Sequence, residues 1–191
     1  MKIILMALLL LTSGFASASA SDPIAAAASA ATYRSFKACT NFDCNHTANT
    51  SLSDSEWRQV RNLFKGATSS KQERVQIKQA IALLETVVGN KTGTSVDLPG
   101  NKRNANYRGQ LDCTAEATNT TTYLYMLEND GLLKFHKIHD RVVRDRFWMV
   151  PHWTGVMEDT TTGVKYSVDS WFKKNGVAPV VVTLERWYNK K

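Results

Sequence analysis

The chain has 191 residues, is 43% hydrophobic and 21% charged, and carries 24 Lys+Arg against 17 Asp+Glu for a formal net charge of +7. Three cysteines in this length exclude a dense disulfide scaffold, and beyond the N-terminus no apolar run reaches the roughly 20 residues that a membrane-crossing helix needs. Positive charge without a recognition motif or an array of stacking aromatics does not make a nucleic-acid-binding protein, so no nucleic-acid partner is expected.

Residues 1–20 place Lys2 before an apolar core from Ile3 to Leu11 and end on Ala18-Ser19-Ala20, the layout of a secretory signal peptide. Cleavage is expected after Ala20, with Ala18 as the alternative. No Cys follows the small residues, which disfavours a lipoprotein, and the reading is of a periplasmic or secreted protein with no transmembrane segment in its mature chain. The remaining 171 residues suit one domain with a proper core. Residues 21–34 are Ala-rich and read as a flexible mature N-terminus, and residues 35–191 as a single domain. In an exported chain the cysteines divide into Cys39 and Cys44, close enough for a local disulfide, and an unpaired Cys113. A zinc site from Cys39, Cys44 and His46 competes with that disulfide, which export favours. The sequons at Asn45, Asn49, Asn90 and Asn119 bear on a eukaryotic secretory route only.

Ser53-Asp-Ser-Glu56 has the form of a capping box and opens a helix with Trp57, Val60 and Phe64 on one face, ended by Gly66. Ser70-Lys-Gln-Glu73 repeats the device for a helix carrying Val75, Ile77, Ile81, Leu84 and Val88 before Gly89. The two apolar stripes predict a helical hairpin packed on the rest of the chain. Residues 90–108, with Gly93, Pro99 and Gly100, read as a loop. Thr114 to about Asn129 reads as a third helix, with Ala115, Thr118, Thr122, Leu124 and Leu127 among polar residues and Gly131 as its C-terminal cap. Residues 132–143, 147–158, 164–172 and 180–187 are strand-like runs of β-branched and aromatic residues. Helices followed by an antiparallel sheet define an α+β domain. His136 and His139, with Asp140, are candidate metal ligands, but in a strand their spacing sends them to opposite faces, so they read as surface histidines, with no metal or other cofactor.

The ordered residues Cys113, His152 and Asp169 supply a nucleophile, a base and an orienting carboxylate. Cys113 sits at the mouth of the third helix, where unpaired N–H groups and the helix dipole favour the attacking thiolate. His152 and Asp169 flank the polar segment Asp159-Thr-Thr-Thr-Gly163; an unbulged hairpin centred between Thr160 and Thr161 sets them directly opposite, on one face. A one-residue slip would put one of them on the other face. Donors for a developing oxyanion are the Cys113 backbone N–H with the side chain of Gln110 or Tyr107. Trp153 and Trp171 flank the two hairpin residues, as cleft lining or as core.

Through Asp112-Cys113-Thr-Ala-Glu-Ala, Gly131-Leu-Leu, His152-Trp-Thr-Gly-Val and Tyr166-Ser-Val-Asp169, residues 107–172 resemble the transglutaminase-like branch of the papain-like superfamily. Within it they are most similar to the bacterial transglutaminase-like cysteine proteinases, which include periplasmic proteases. The resemblance implies a papain-like fold with Cys113 as nucleophile, His152 as general base and acid, and Asp169 fixing the imidazole tautomer. The function so implied is a thiol protease or amidase working through a thioester; from export the expected substrate is a protein or peptide in the cell envelope, and the expected state is a monomer. A cross-linking acyltransferase shares the intermediate, and a non-catalytic envelope-binding module shares the fold.

Overall fold

The structure, a computed structural model, describes residues 23–102, 107–145 and 151–189. The expected leader lies outside them, as does the start of the expected 147–158 strand. In chain order the elements are α1 (Pro23–Ser29), β1 (Phe36–Cys39), β2 (Thr47–Thr50), α2 (Asp54–Leu63), α3 (Ser70–Thr92), α4 (Cys113–Asn129), β3 (His136–Arg144), β4 (His152–Asp159), β5 (Lys165–Asp169), β6 (Val180–Thr183) and α5 (Leu184–Asn189). The strands form an antiparallel β1-β2 ribbon and a four-stranded antiparallel sheet in the order β3-β4-β5-β6. The protein is thus of mixed α+β type. Among the described residues no helix is long and apolar enough to cross a membrane.

The helix that begins at Cys113 is the centre of the molecule. It packs against α1, α3, the ribbon and the sheet, and nearly every side chain from Ala115 to Leu127 is buried. Hydropathy hides this, because the helix is rich in threonine. Thr118 and Thr122 satisfy their hydroxyls internally by donating to the carbonyls of Thr114 (2.7 Å) and Thr118 (2.9 Å), four residues back, so they enter the core without orphaned polar atoms. Around α4 the main core gathers Trp57, Ile77, Ile81, Leu84, Tyr123, Leu124, Met157 and Val168.

The other helices form where their end signals stand, with adjustments. Ser53 and Glu56 close the expected capping box on α2. On α3 the cap is Ser69, one residue before the expected Ser70. Glu73, freed from capping, turns inward and is buried. The helix also runs past Gly89 to Gly93, whose left-handed φ of 85° ends it. Gly89 serves packing instead: a Cβ there would stand 2.8 Å from Asn175 Oδ1. Val75, expected in the buried stripe, is 52% exposed, whereas Ile77, Ile81, Leu84 and Val88 are in the core.

Three segments depart further from the sequence reading. Residues 23–34 are held in place: Ala28 and Ala31 are buried, and Asn129 Nδ2 donates to the carbonyls of Ser29 (2.9 Å) and Ala31 (3.0 Å). Poly-alanine is uninformative about burial, and tertiary contacts decided it. The β1-β2 ribbon, with the Cys39–Cys44 disulfide in its connection, has no counterpart in the expected elements. The last expected strand stops at Thr183 and turns into α5, with Trp187 buried on the sheet side.

The β4-β5 hairpin positions two of the three candidate catalytic residues. Gly155 pairs with Val168 and Glu158 with Lys165, so the turn centres between Thr161 and Thr162, one residue beyond the expected point. Asp159 sets it. Its carboxylate accepts from the N–H groups of Thr161 (3.0 Å) and Thr162 (3.3 Å), and its carbonyl accepts from Gly163 (2.8 Å), closing a four-residue turn. His152 and Asp169 are therefore diagonal rather than directly opposed. Moving the centre by one residue shifts every pairing by two, so both side chains keep a common face.

Candidate active site

Asp112 is the N-cap of α4; its carboxylate accepts from Ala115 N–H (2.9 Å), and Cys113 is the first helical residue. The cysteine is 8% exposed, unbonded to any other cysteine, and its S–H donates to the Pro151 carbonyl at 3.5 Å. That contact brings the helix start to the residue just before β4. Gly155 permits the approach, since a Cβ there would meet Thr120, Thr121 and Leu124 of α4 at 3.2–3.3 Å.

His152 opens β4. Its Nε2 lies 2.8 Å from Asp169 Oδ2, and Cys113, in contact with the preceding residue Pro151, acts on the same ring. With Nε2 turned to the carboxylate, Nδ1 is the nitrogen left for sulfur. Burial works against the imidazolium, but the hydrogen bonds with Asp169 and Cys113 outweigh it and raise His152 to about 9. The three residues named from sequence are thus brought together around one ring.

Rings enclose that pair. Trp171 lies 4.9 Å and Phe172 5.2 Å from the His152 ring, centroid to centroid, and Trp171 is fixed by donating to the Asn101 carbonyl (3.2 Å). Trp187 was missed. From α5 its Nε1–H donates to Asp169 Oδ2 at 3.0 Å, the same oxygen that holds His152, while its ring stands 5.7 Å from the imidazole. Arg144, cross-strand partner of His152, stacks on the Trp187 ring at 4.5 Å and donates to its carbonyl. Only the strand-to-helix switch at Thr183 turns this indole toward Asp169, and no local pattern announces it.

The other sequence candidates fall elsewhere. Trp153, next to His152 on a strand, projects to the opposite face and lies under Arg141 at 4.4 Å. Gln110 is buried but ties the preceding loop: Oε1 accepts from Asn101 Nδ2 (2.6 Å) and Leu98 N–H (3.2 Å), and Nε2 donates to the Val96 carbonyl (2.8 Å). Tyr107 is 68% exposed. Neither side chain is brought to the sulfur, and the donors there are those of the first turn of α4, whose N–H groups have no intrahelical acceptor. His136 is not a surface histidine: it is buried with its Nδ1 2.7 Å from Glu73 Oε2. His139 pairs with Glu158 (2.8 Å) and Asp140 accepts from Tyr125 (3.0 Å), so the three do not converge. Among the described residues no group of three or more His, Cys, Asp or Glu side chains is arranged to hold a metal ion.

A second acidic group lies beside α4. Glu85 on α3, Asp97 and Glu116 are all buried, and no cation stands among the charges acting on them. Burial pushes Glu85 up to about 7 against the hydrogen bonds from Ser170 and the Gly176 N–H, and pushes Asp97 up to about 6. Glu116 is driven well above the carboxyl range by burial first and by its acidic neighbours second. These carboxyls hold protons that ordinary carboxylates release.

No family model matches the chain, and no curated protein or solved structure is found to be similar to it. What defines the site is its own arrangement: a thiol at a helix N-terminus, one imidazole between it and a buried carboxylate, and no other base at the sulfur among the described contacts.

Proposed function

We propose that the protein is an exported cysteine hydrolase of transglutaminase-like type, a protease or amidase acting on a protein or peptide of the cell envelope. The observation that carries the reading is the placement of His152, 2.8 Å from Asp169 and next in the chain to Pro151, whose carbonyl accepts from the Cys113 S–H at 3.5 Å. An imidazole held protonated to about 9 is the charged partner that a nucleophilic cysteine uses. The helix-opening cysteine and the histidine and aspartate on adjacent antiparallel strands support the papain-like assignment. The Cys39–Cys44 disulfide supports a location outside the reducing cytoplasm.

Each placement has a chemical role. The Cys113 thiolate attacks the amide carbon, and N–H groups of the first turn of α4 face the oxygen as charge develops. His152 gives its proton to the leaving amine, which leaves a thioester on Cys113. It then takes a proton from water, whose attack releases the acid and returns the sulfur as thiolate beside the imidazolium. Asp169, fixed by Trp187, keeps Nε2 occupied and leaves Nδ1 for the proton that moves. An amine in place of water gives acyl transfer through the same thioester.

Two measurements test this. Iodoacetamide at pH 7 should modify Cys113 faster in the folded protein than in the urea-unfolded chain, and incubation with envelope extract should leave an acyl adduct on Cys113 that the Cys113→Ala variant lacks. A thiol slower than in the unfolded chain, with no adduct, would favour a binding module on the same fold.

A further inference from the structure

The face of α4 turned away from the sheet is built onto the disulfide loop. Cys39 is clasped by Asn119 of α4: its N–H donates to Asn119 Oδ1 (2.7 Å) and its carbonyl accepts from Asn119 Nδ2 (3.0 Å). Leu111 and Ala115 pack on Cys39, with Cys44 against the same cluster. Asp43, inside the loop, donates its N–H to Asp112 Oδ1 (3.1 Å), the oxygen that also caps Ala115 (2.9 Å). Asp112, Ala115 and Asn119 are three and four residues apart, hence one helical face, and Cys113 lies on another. Within the loop Asp43 and Cys44 hold left-handed φ angles of 53° and 55°. Such a conformation is strained for a residue with a Cβ and persists only where its surroundings impose it.

We propose that the Cys39–Cys44 disulfide is a redox-dependent brace for Cys113: the reactivity of the thiol depends on a disulfide that does not contain it. The consequence for reactivity rests on the thiol-hydrolase reading; the brace itself does not. An external dithiol delivers two electrons and two protons to the S–S bond, giving two thiols and its own disulfide. Asp43 and Cys44 then relax out of the left-handed region, the Asp43 N–H leaves Asp112, and the first turn of α4 frays beneath Cys113. His152, Asp169 and Trp187 belong to the other side of the site and keep their contacts.

The test is the Cys39→Ser/Cys44→Ser double variant, in which Cys113 is the remaining thiol. Two readouts are taken: the alkylation rate at pH 7 and amide hydrogen exchange at Ala115 and Glu116. The expected result is alkylation slowed about tenfold, the scale of losing a helix N-terminus beside a thiolate. Exchange at Ala115 and Glu116 should quicken, while that of Val156 and Val168 stays as in the oxidised protein. A cooperatively folded variant with both rates unchanged overturns the proposal. Should the variant fail to fold, a phosphine reductant opens the disulfide in the wild-type protein, being oxidised to its oxide, and the same readouts are made by site-resolved mass spectrometry; an unchanged Cys113 rate with Cys39 and Cys44 both modified is equally fatal. If Cys113 is already unreactive in the oxidised protein, the hydrolase reading fails, whereas exchange at Ala115 still decides the brace.

Discussion

Among the described residues two buried histidine–carboxylate pairs stand out, and their bonds are nearly the same length. Glu73 Oε2 is 2.7 Å from His136 Nδ1, and Asp169 Oδ2 is 2.8 Å from His152 Nε2. Around the first the wiring is closed. The Glu73 carboxylate also accepts from the N–H groups of Lys134 (2.6 Å) and Phe135 (2.9 Å), and Arg74, a side chain with donors only, stands 3.3 Å from the second nitrogen of His136. Burial favours the neutral acid at Glu73, yet these hydrogen bonds together hold it below the usual carboxylate range. That pair is a knot tying α3 to the start of β3. In the second pair the free nitrogen faces a sulfur instead of a cation. The lesson is that the histidine–carboxylate bond itself says little about chemistry; the group on the other side of the ring decides.

Breaking each pair in turn should separate the two roles. His152→Ala is expected to lower the rate of Cys113 acylation about 10^3-fold, the usual scale for loss of a general base, and also to lower the urea midpoint by stranding buried Asp169. Equal acylation rates in the variant and the wild type would remove the imidazole from the chemistry. His136→Ala should cost about 3 kcal/mol of stability by stranding Glu73, while Cys113 alkylation in the folded protein stays unchanged.

The buried acids sharpen the contrast because they have no base. Their folded-state values lie above the roughly 4 of an exposed carboxyl, so the unfolded chain releases its protons first as pH rises, and stability falls between pH ~4 and the values of about 6 for Asp97 and about 7 for Glu85. His152 works in the other window. Its raised value stabilises the fold below the ordinary 6.5 or so, and that contribution disappears as pH passes about 9. Urea midpoints measured across pH 4–10 should decline in two steps, and Glu85→Gln should flatten the first near pH 7 while leaving the second. An undiminished first step would show that Glu85 does not titrate there.

Smaller effects probe how the His152–Asp169 pair is held. Trp187→Phe keeps the ring and deletes the N–H that reaches Asp169; about tenfold slower acylation is expected, the worth of one hydrogen bond to a charged group. If its rate equals that of the wild type, the indole is packing and nothing more. Gly155→Ala should cost about 1 kcal/mol by pressing a methyl against Thr120, Thr121 and Leu124, visible as a lowered urea midpoint.

The legible parts of the fold were those written into short stretches. Ser53 and Glu56 closed their box, the cysteine helix began and ended as its end signals specify, and Cys39 and Cys44 found each other across a gap too short for other partners. Legibility failed where meaning depends on surroundings. Thr118 to Thr122 read as polar, yet they form the hidden middle of α4: Thr118 and Thr122 bond their own helix, Asn119 clasps Cys39 and Thr120 pairs with Ser170. Gln110 looked available and is taken up by the loop at Val96–Asn101; Trp187 looked like strand and is helix.

The amino-acid order alone determined that His152 and Asp169 share a face, because side-chain parity along paired strands survives the two-position shift that the Asp159 turn imposes on their register. It also set a cysteine at the mouth of a helix, since a cap residue and a following run of helix formers are local properties. Tertiary structure alone decided that a helix from mid-chain and an indole from the C-terminal helix meet those two strands, and that His136 became a tie while His152 faces a thiol. Such encounters join residues tens of positions apart. Their free energy comes from filling a shared core, which no window of sequence contains.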